Sequence, residues 1–171
     1  RDHYLGVLAE IEARRLPAQP SVKLTHLGLD VDRELCAASV RTLADRAAAA
    51  GSMLWIDIEE SHYVDATLDV YRRALAAQPK VGLCLQAYLR RTPADLAALL
   101  AQGASIRLVK GAYREPAAIA YPEKRDVDAA YLALAERMLE SRAAFEGGLP
   151  VFGTHDLALV ERIRAKAAQL S

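Results

Sequence analysis

The stretch Ser105-Ile106-Arg107-Leu108-Val109-Lys110-Gly111-Ala112-Tyr113 decides the fold. It opens as a short run of Ile, Leu and Val without strict alternation and stops at a glycine, the pattern of a strand buried on both faces. Four further runs share the pattern, at residues 21–25, 53–59, 81–88 and 150–153. Segments of helical period separate them. Cys36, Val40, Leu43 and Ala47 share one helical face, as do Val64, Leu68, Tyr71 and Leu75, and Val127, Tyr131, Leu134 and Met138. An opening helix is expected over residues 4–14, ending before Pro17. The order is one helix and then βα five times. Strands separated by helices imply a parallel sheet with right-handed crossovers.

Two architectures satisfy that order: an eight-stranded (βα) barrel and an open doubly wound sheet. No G-x-G-x-x-G follows the first strand, which removes support for a dinucleotide-binding doubly wound sheet. A flavodoxin-like order fits the pattern as well as the barrel does. Five strands cannot close a barrel. The barrel reading is therefore an incomplete parallel (βα)8 barrel, with residues 1–171 as a single partial domain.

Punctuation supports the element limits. Thr92, Pro93 and Asp95 form a T-P-x-D start, with Thr92 as the expected cap. Gly103 and Gly51 stand where left-handed residues end helices, and Gly147-Gly148 are expected to close a later one. Asp156 is placed to cap a last helix over residues 157–170.

Charge narrows the function classes. The chain has 171 residues, with Lys+Arg 22 and Asp+Glu 22, for a formal net charge of zero. A balanced chain has no basic field for nucleic acid or for an anionic membrane. No apolar run is long enough for a spanning helix, and the charged residues 1–15 do not read as a secretory leader. Cys36 and Cys84 lack C-x-x-C spacing and read as two reduced core thiols. His26, His62 and His155 lie on separate loops with no H-x-H or H-x-x-x-H pair, so no metal site is expected.

Each strand carries a polar residue that a purely structural strand does not need: Lys23, Asp57, Gln86, Arg107 with Lys110, and Thr154 with His155. At the strand ends of a parallel barrel they would converge on one mouth. Each also has a plain structural reading. Lys23 and Asp57 make a buried ion pair, and His155-Asp156 a strand end leading into a helix cap. Lys110 reads either as a solvated strand-end charge or as an imine-forming lysine. Glu59 and Glu60, adjacent on an extended strand, would point to opposite faces and could not act together, so each is expected to satisfy a neighbour or face solvent. Gly111-Ala112 at a strand exit leave room for a flat ligand, and Arg107 beside them could stabilise a reduced, negatively charged ring. Without a Gly-rich loop, a phosphate would depend on discrete cations, with Lys124 and Arg125 as candidates; their plain reading is a solvated charge pair before a helix.

Taken in order, these segments resemble the proline dehydrogenase barrel family. Ser21-Val22-Lys23-Leu24-Thr25 is similar to its second strand, Ile56-Asp57-Ile58-Glu59-Glu60 to its third and Leu85-Gln86-Ala87-Tyr88 to its fourth. Arg107 through Tyr113 resembles the fifth and is the most specific. Tyr121-Pro122 with Lys124, Val127-Asp128 and Tyr131 resembles the segment after it, and Phe152-Gly153-Thr154-His155-Asp156 the sixth strand's exit. Tyr88-Leu89-Arg90-Arg91 looks like the family's terminal signature but follows strand four, so it takes no such role.

The resemblance implies FAD bound non-covalently at the strand mouth and oxidation of L-proline to Δ1-pyrroline-5-carboxylate, with hydride passing to flavin N5 and a membrane quinone as final acceptor. It implies that Arg107 lies near flavin N5, that Gln86 bonds the ring system, and that Val109, Gly111 and Ala112 lie along the cofactor. Lys124, Thr154 and His155 match its phosphate and adenosine side. Lys23 and Asp57 match a charged pair at the substrate, and Leu108 and Tyr113 contact the substrate ring. Arg114, where many bifunctional members carry tryptophan, points to the single-function branch. The family's first strand, last two strands and carboxylate-holding final helix have no counterpart in the matched segments. The implied location is cytoplasmic, with loose inner-membrane association in a bacterium, or mitochondrial in a eukaryote. A non-catalytic barrel fragment is the reading from another class.

Overall fold

The computed structural model describes residues 1–144 and 148–170. Its elements run α1 (Asp2–Ala13), β1 (Ser21–Lys23), α2 (Arg33–Ala49), β2 (Leu54–Asp57), α3 (Val64–Ala77), β3 (Val81–Gln86), α4 (Thr92–Leu100), β4 (Ser105–Val109), α5 (Lys124–Ala144), β5 (Pro150–Gly153) and α6 (Leu157–Gln169). Short 3-10 turns at Thr25–Leu27 and Ser61–Tyr63 follow β1 and β2. This is the helix-then-βα alternation that hydrophobic periodicity predicts. The strand order is β1-β2-β3-β4-β5, sequential along the chain. A flavodoxin-like order would require the chain to double back across its first strand, so the sequential order favours the barrel type.

The chain divides into two compact units, residues 1–83 and 84–171. In the first, β1 pairs parallel with β2, matching Val22 to Ile56 and Lys23 to Asp57. Strand β2 pairs parallel with β3, matching Trp55 to Gly82. A Cβ on Gly82 would stand 2.4 Å from the Trp55 ring, so glycine is what lets that indole lie flat over the neighbouring strand. The core joins Val22, Leu24, Leu54 and Ile56 to Cys36, Val40, Leu43 and Ala47 of α2 and Leu68, Val70 and Tyr71 of α3, all buried. Burying apolar area of this kind is the main drive to fold. Helix α1 adds Leu8 and Ile11, and Arg46 of α2 pairs with Glu12 of α1.

In the second unit, β4 pairs parallel with β5, matching Arg107 to Val151 and Val109 to Gly153. Tyr131, Leu134, Ala135 and Met138 of α5 and Leu159 and Ile163 of α6 cover this pair. Tyr131 is fully buried and donates its hydroxyl to the Leu108 carbonyl at 3.1 Å. Burial pushes that phenol up to about 12, so it stays a neutral donor at physiological pH.

The punctuation residues divide. Gly51 and Gly103 adopt φ +72° and +71° at the ends of α2 and α4, as expected. Asp156 accepts from the Leu159 N–H and caps α6. Thr92 does not cap α4: the cap position is Arg91, and the Thr92 hydroxyl turns back to donate to the Gln86 carbonyl at 2.6 Å. A buried carbonyl at the end of β3 outbids a helix-end N–H for that hydroxyl. Gly147 lies outside the described residues. Gly148 lies four residues beyond the end of α5, and a Cβ there would come within 2.2 Å of the Ala104 backbone, so its service is close approach to the start of β4.

Candidate active site

In the first unit, the parallel register sets Lys23 and Asp57 side by side at the last paired position of β1 and β2. Both are half-buried. Beyond this pair the backbones diverge into their 3-10 turns. Glu59, 6% exposed, bridges the gap: it accepts the Thr25 N–H at 3.2 Å and the Thr25 hydroxyl at 2.7 Å. The strand has already ended at Asp57, so strand alternation does not govern Glu59 and Glu60. Their difference comes from this clamp instead: Glu59 is buried in it, and Glu60 stays partly exposed. Cys36 sits behind the same turn, donating to the Leu24 carbonyl at 3.6 Å. Burial, then the nearby Glu59 charge, push its thiol up to about 11, which makes it a poor nucleophile.

In the second unit, β3 continues past Gln86 alongside the exit of β4: Ala87 N–H donates to the Val109 carbonyl at 2.8 Å and Tyr88 N–H to the Lys110 carbonyl at 2.9 Å. Gln86 is buried at the strand end. Arg107 and Val109 are half-buried, Gly111 and Ala112 are exposed, and Tyr113 is half-buried. Leu108 is fully buried. Gly111 has φ +126°, and its missing Cβ would fall 2.3 Å from the Tyr88 ring. The result is an exposed, side-chain-poor backbone platform backed by an aromatic ring, with the half-buried Arg107 four residues earlier on β4. Those features fit a flat heteroaromatic group: open backbone for its face and a permanent cation for negative charge.

The loop after this platform is tied down. Arg90 donates to the Ala117 carbonyl at 2.9 Å and lies 4.5 Å from the centre of the Tyr121 ring, and Tyr121 N–H donates to the Tyr88 carbonyl at 2.8 Å. Arg91 pairs with Asp95 within α4. Both arginines of the Tyr88–Arg91 segment are thus engaged locally.

Lys110, just past β4, donates to Asp128 at 2.5 Å and to Asp156 at 2.9 Å. Lys124 reaches the same two carboxylates, Asp156 at 3.2 Å. The four charges join the β4 exit to the first turns of α5 and α6. Lys110 is therefore neither a solvated strand-end charge nor an available imine-forming amine: two carboxylates occupy its ammonium. Lys110 first, then Lys124 and the Leu159 N–H, hold the Asp156 carboxyl at about 2. The same two lysines, Lys110 foremost, lower Asp128. Lys124 is engaged, contrary to the solvated-pair reading, yet its side chain remains 74% exposed; Arg125 meets only its neighbour Asp126, at 3.4 Å. Thr154 accepts the Asp156 N–H, and His155 is exposed beside it.

Glu59 satisfies a neighbour, as expected of one of the two glutamates, but the sequence did not identify Thr25 as that neighbour and gave Asp128 no partner. The Lys124/Asp128 spacing of four on a helix was a readable sign of one pair; the Glu59–Thr25 contact, 34 residues apart, carried none. No group of three metal-ligating side chains occurs among the described residues, and no helix among them is long and apolar enough to cross a membrane.

A parallel α/β chain with its five strands in sequential order and helices between them belongs to the class of barrel-type α/β folds, here as an incomplete barrel. The model of one such family, proline dehydrogenase, matches residues 1–171, and the chain belongs to that family. It is 32% identical over 159 residues to proline dehydrogenase 1 of Bacillus subtilis subsp. natto, covering 93% of this chain and 51% of the relative. It is 31% identical over 168 residues to the proline dehydrogenase of Deinococcus radiodurans, covering 95% of this chain and 53% of the relative. The chain thus spans about half the length of these curated relatives. Among solved structures, proline utilization A from Bdellovibrio bacteriovorus inactivated by N-propargylglycine superposes with TM-score 0.85 at 20% identity over 99% of this chain and 22% of that one. This likeness shows the shared fold.

Proposed function

We propose that this chain forms the flavin side and part of the substrate side of an FAD-dependent enzyme that oxidises L-proline to Δ1-pyrroline-5-carboxylate. The observation that carries the reading is the family match along residues 1–171. The open backbone at Gly111-Ala112, at the exit of the strand that carries Arg107, supports the cofactor assignment, because it suits the face of a flavin ring.

FAD, when bound, supplies the two-electron acceptor. The chain's own residues do the rest. The guanidinium of Arg107 would stabilise negative charge on a ring held at this platform. Gln86 orients the ring by hydrogen bonding, and Val109, Gly111 and Ala112 offer it backbone. Lys124, whose side chain is largely exposed, Thr154 and His155 would serve the phosphate and adenosine portion. Lys23 and Asp57 present opposite charges to a proline zwitterion, the ammonium to its carboxylate and the carboxylate to its ring nitrogen. Hydride departs only once that nitrogen has lost a proton, so a nearby carboxylate lowers the cost of the step. Leu108 and Tyr113 border the substrate ring. In this proposal residues 1–171 form a single partial barrel domain whose strand ends share one mouth. The electrons pass on to a membrane quinone, and the protein works in the cytoplasm at the inner face of a bacterial membrane.

The test is an absorbance spectrum of the full-length protein that carries this chain. Flavin bands that bleach under anaerobic L-proline support the proposal, and a colourless protein that takes up no FAD on reconstitution refutes it.

A further inference from the structure

We infer that Glu59 is a positioning residue: by clamping Thr25, it fixes the distance and orientation between Lys23 and Asp57. The inference rests on the substrate-side reading of those two residues given above. Strand β1 has three residues, and its ladder with β2 ends at the Lys23–Asp57 pair. The charged pair thus stands on the last rung of that ladder. The Thr25–Leu27 turn leaves β1 two residues later, and Gly28, at φ +89°, turns the chain away. A link between the two strand exits at this point bears directly on the geometry of the pair.

Glu59 supplies that link symmetrically. Thr25 stands two residues after Lys23, and Glu59 two residues after Asp57. Both carboxylate oxygens are used, one on the Thr25 N–H at 3.2 Å and the other on its hydroxyl at 2.7 Å. These two hydrogen bonds tie the strand exits together two residues past the last rung. The carboxylate is 6% exposed, so water competes little for it, and hydrogen bonds to an ionised acceptor are strong. A buried charge is costly to keep for stability alone, where an apolar residue would serve. Here it holds in place two side chains that must meet a small zwitterion, and for such chemistry a shift of about 1 Å can cost roughly a hundredfold in rate.

The test uses the full-length, flavin-loaded protein with Glu59→Ala, Glu59→Gln and the near-isosteric Thr25→Val, and Asp57→Ala as reference. Flavin content, anaerobic flavin reduction by proline and hydrogen exchange of the Thr25 amide are read for each. The expected result is normal flavin content in Glu59→Ala and Thr25→Val with a roughly ten- to hundredfold slower limiting reduction. Glu59→Gln should recover most of the rate, because its amide oxygen still accepts from Thr25. Thr25 amide protection should fall in Glu59→Ala and persist in Glu59→Gln. Folded, flavin-loaded Glu59→Ala and Thr25→Val that each lose less than about threefold overturn the inference. If Glu59→Ala does not fold, Thr25→Val decides alone. A normal Asp57→Ala in an enzyme that proline does reduce overturns the Asp57 assignment and this inference together. A wild-type flavin that proline does not reduce refutes the proposed function instead. Unchanged Thr25 protection in Glu59→Ala overturns the clamp whatever the kinetics.

Discussion

The ring of Tyr88 occupies the volume that a side chain on Gly111 would need: a Cβ there would fall 2.3 Å from its Cδ1. Tyr88 follows β3, Gly111 follows β4, and the Tyr88 N–H to Lys110 carbonyl bond at 2.9 Å locks the two exits together. Glycine here meets two demands at once, a left-handed φ of +126° and direct contact with an aromatic ring. Gly111→Ala should therefore cost about 2 kcal/mol or more, the sum of backbone strain and displacement of Tyr88. It should also lower flavin content in the full-length protein. Thermal denaturation and the ratio of visible to ultraviolet absorbance check both. An alanine variant with unchanged melting temperature and flavin content would contradict this account of the platform.

Lys110→Met removes the ammonium that holds two carboxylates. Lys124 alone must then serve Asp128 and Asp156, so the melting temperature at pH 7 should fall by a few degrees. The pH dependence has a definite sign. The folded-state value of Asp156 is depressed from 3.8 to about 2, with Lys110 the first cause. Its stabilising contribution is therefore complete above the unfolded value and is lost as pH falls through the folded one. The difference in melting temperature between wild type and Lys110→Met should be flat at neutral pH and shrink as pH drops from about 4 toward 2. A gap that widens on acidification would show that the ion cluster does not stabilise the fold.

Thr92→Val tests the bond that displaced the expected helix cap. The substitution keeps shape and removes the hydroxyl donor to the Gln86 carbonyl, both partners being buried. The carbonyl would keep only the longer 3.4 Å bond from the Leu89 N–H, so the loss should cost roughly 1 kcal/mol. Chemical denaturation is the direct measurement. If the residue were a mere cap, Thr92→Asp would be at least as stable as wild type; burying a charge against a carbonyl should instead make it worse.

Arg107→Met separates the proposed electrostatic role from packing. The side chain is half-buried and methionine replaces much of its apolar length, so the fold should tolerate the change. Loss of a fixed cation beside the developing charge should slow anaerobic flavin reduction by about tenfold or more. A weakened hold on FAD should accompany it. Unchanged reduction with full flavin occupancy would remove Arg107 from the mechanism.

The alternation of elements was legible in the sequence because it depends on local periodicity. Val22 and Ile56 are buried wherever their strands go, and Tyr131, Leu134 and Met138 need only a helix to share a face. Glycines at 51 and 103 announce left-handed conformations by lacking a Cβ. The family was legible for a related reason: its motifs are short, contiguous and ordered along the chain.

Contacts between distant segments were decided by tertiary structure. Whether Lys110 stood in water or in an ion cluster depended on where α5 and α6 begin in space, 18 and 46 residues away at Asp128 and Asp156. Thr92 could have capped its own helix; the buried Gln86 carbonyl claimed it instead. Glu59 and Thr25 meet only because the parallel register sets Lys23 beside Asp57. Local sequence fixes which conformations are cheap, but a hydrogen bond between distant residues exists only once burial has brought both ends together and removed the water that would have competed for them.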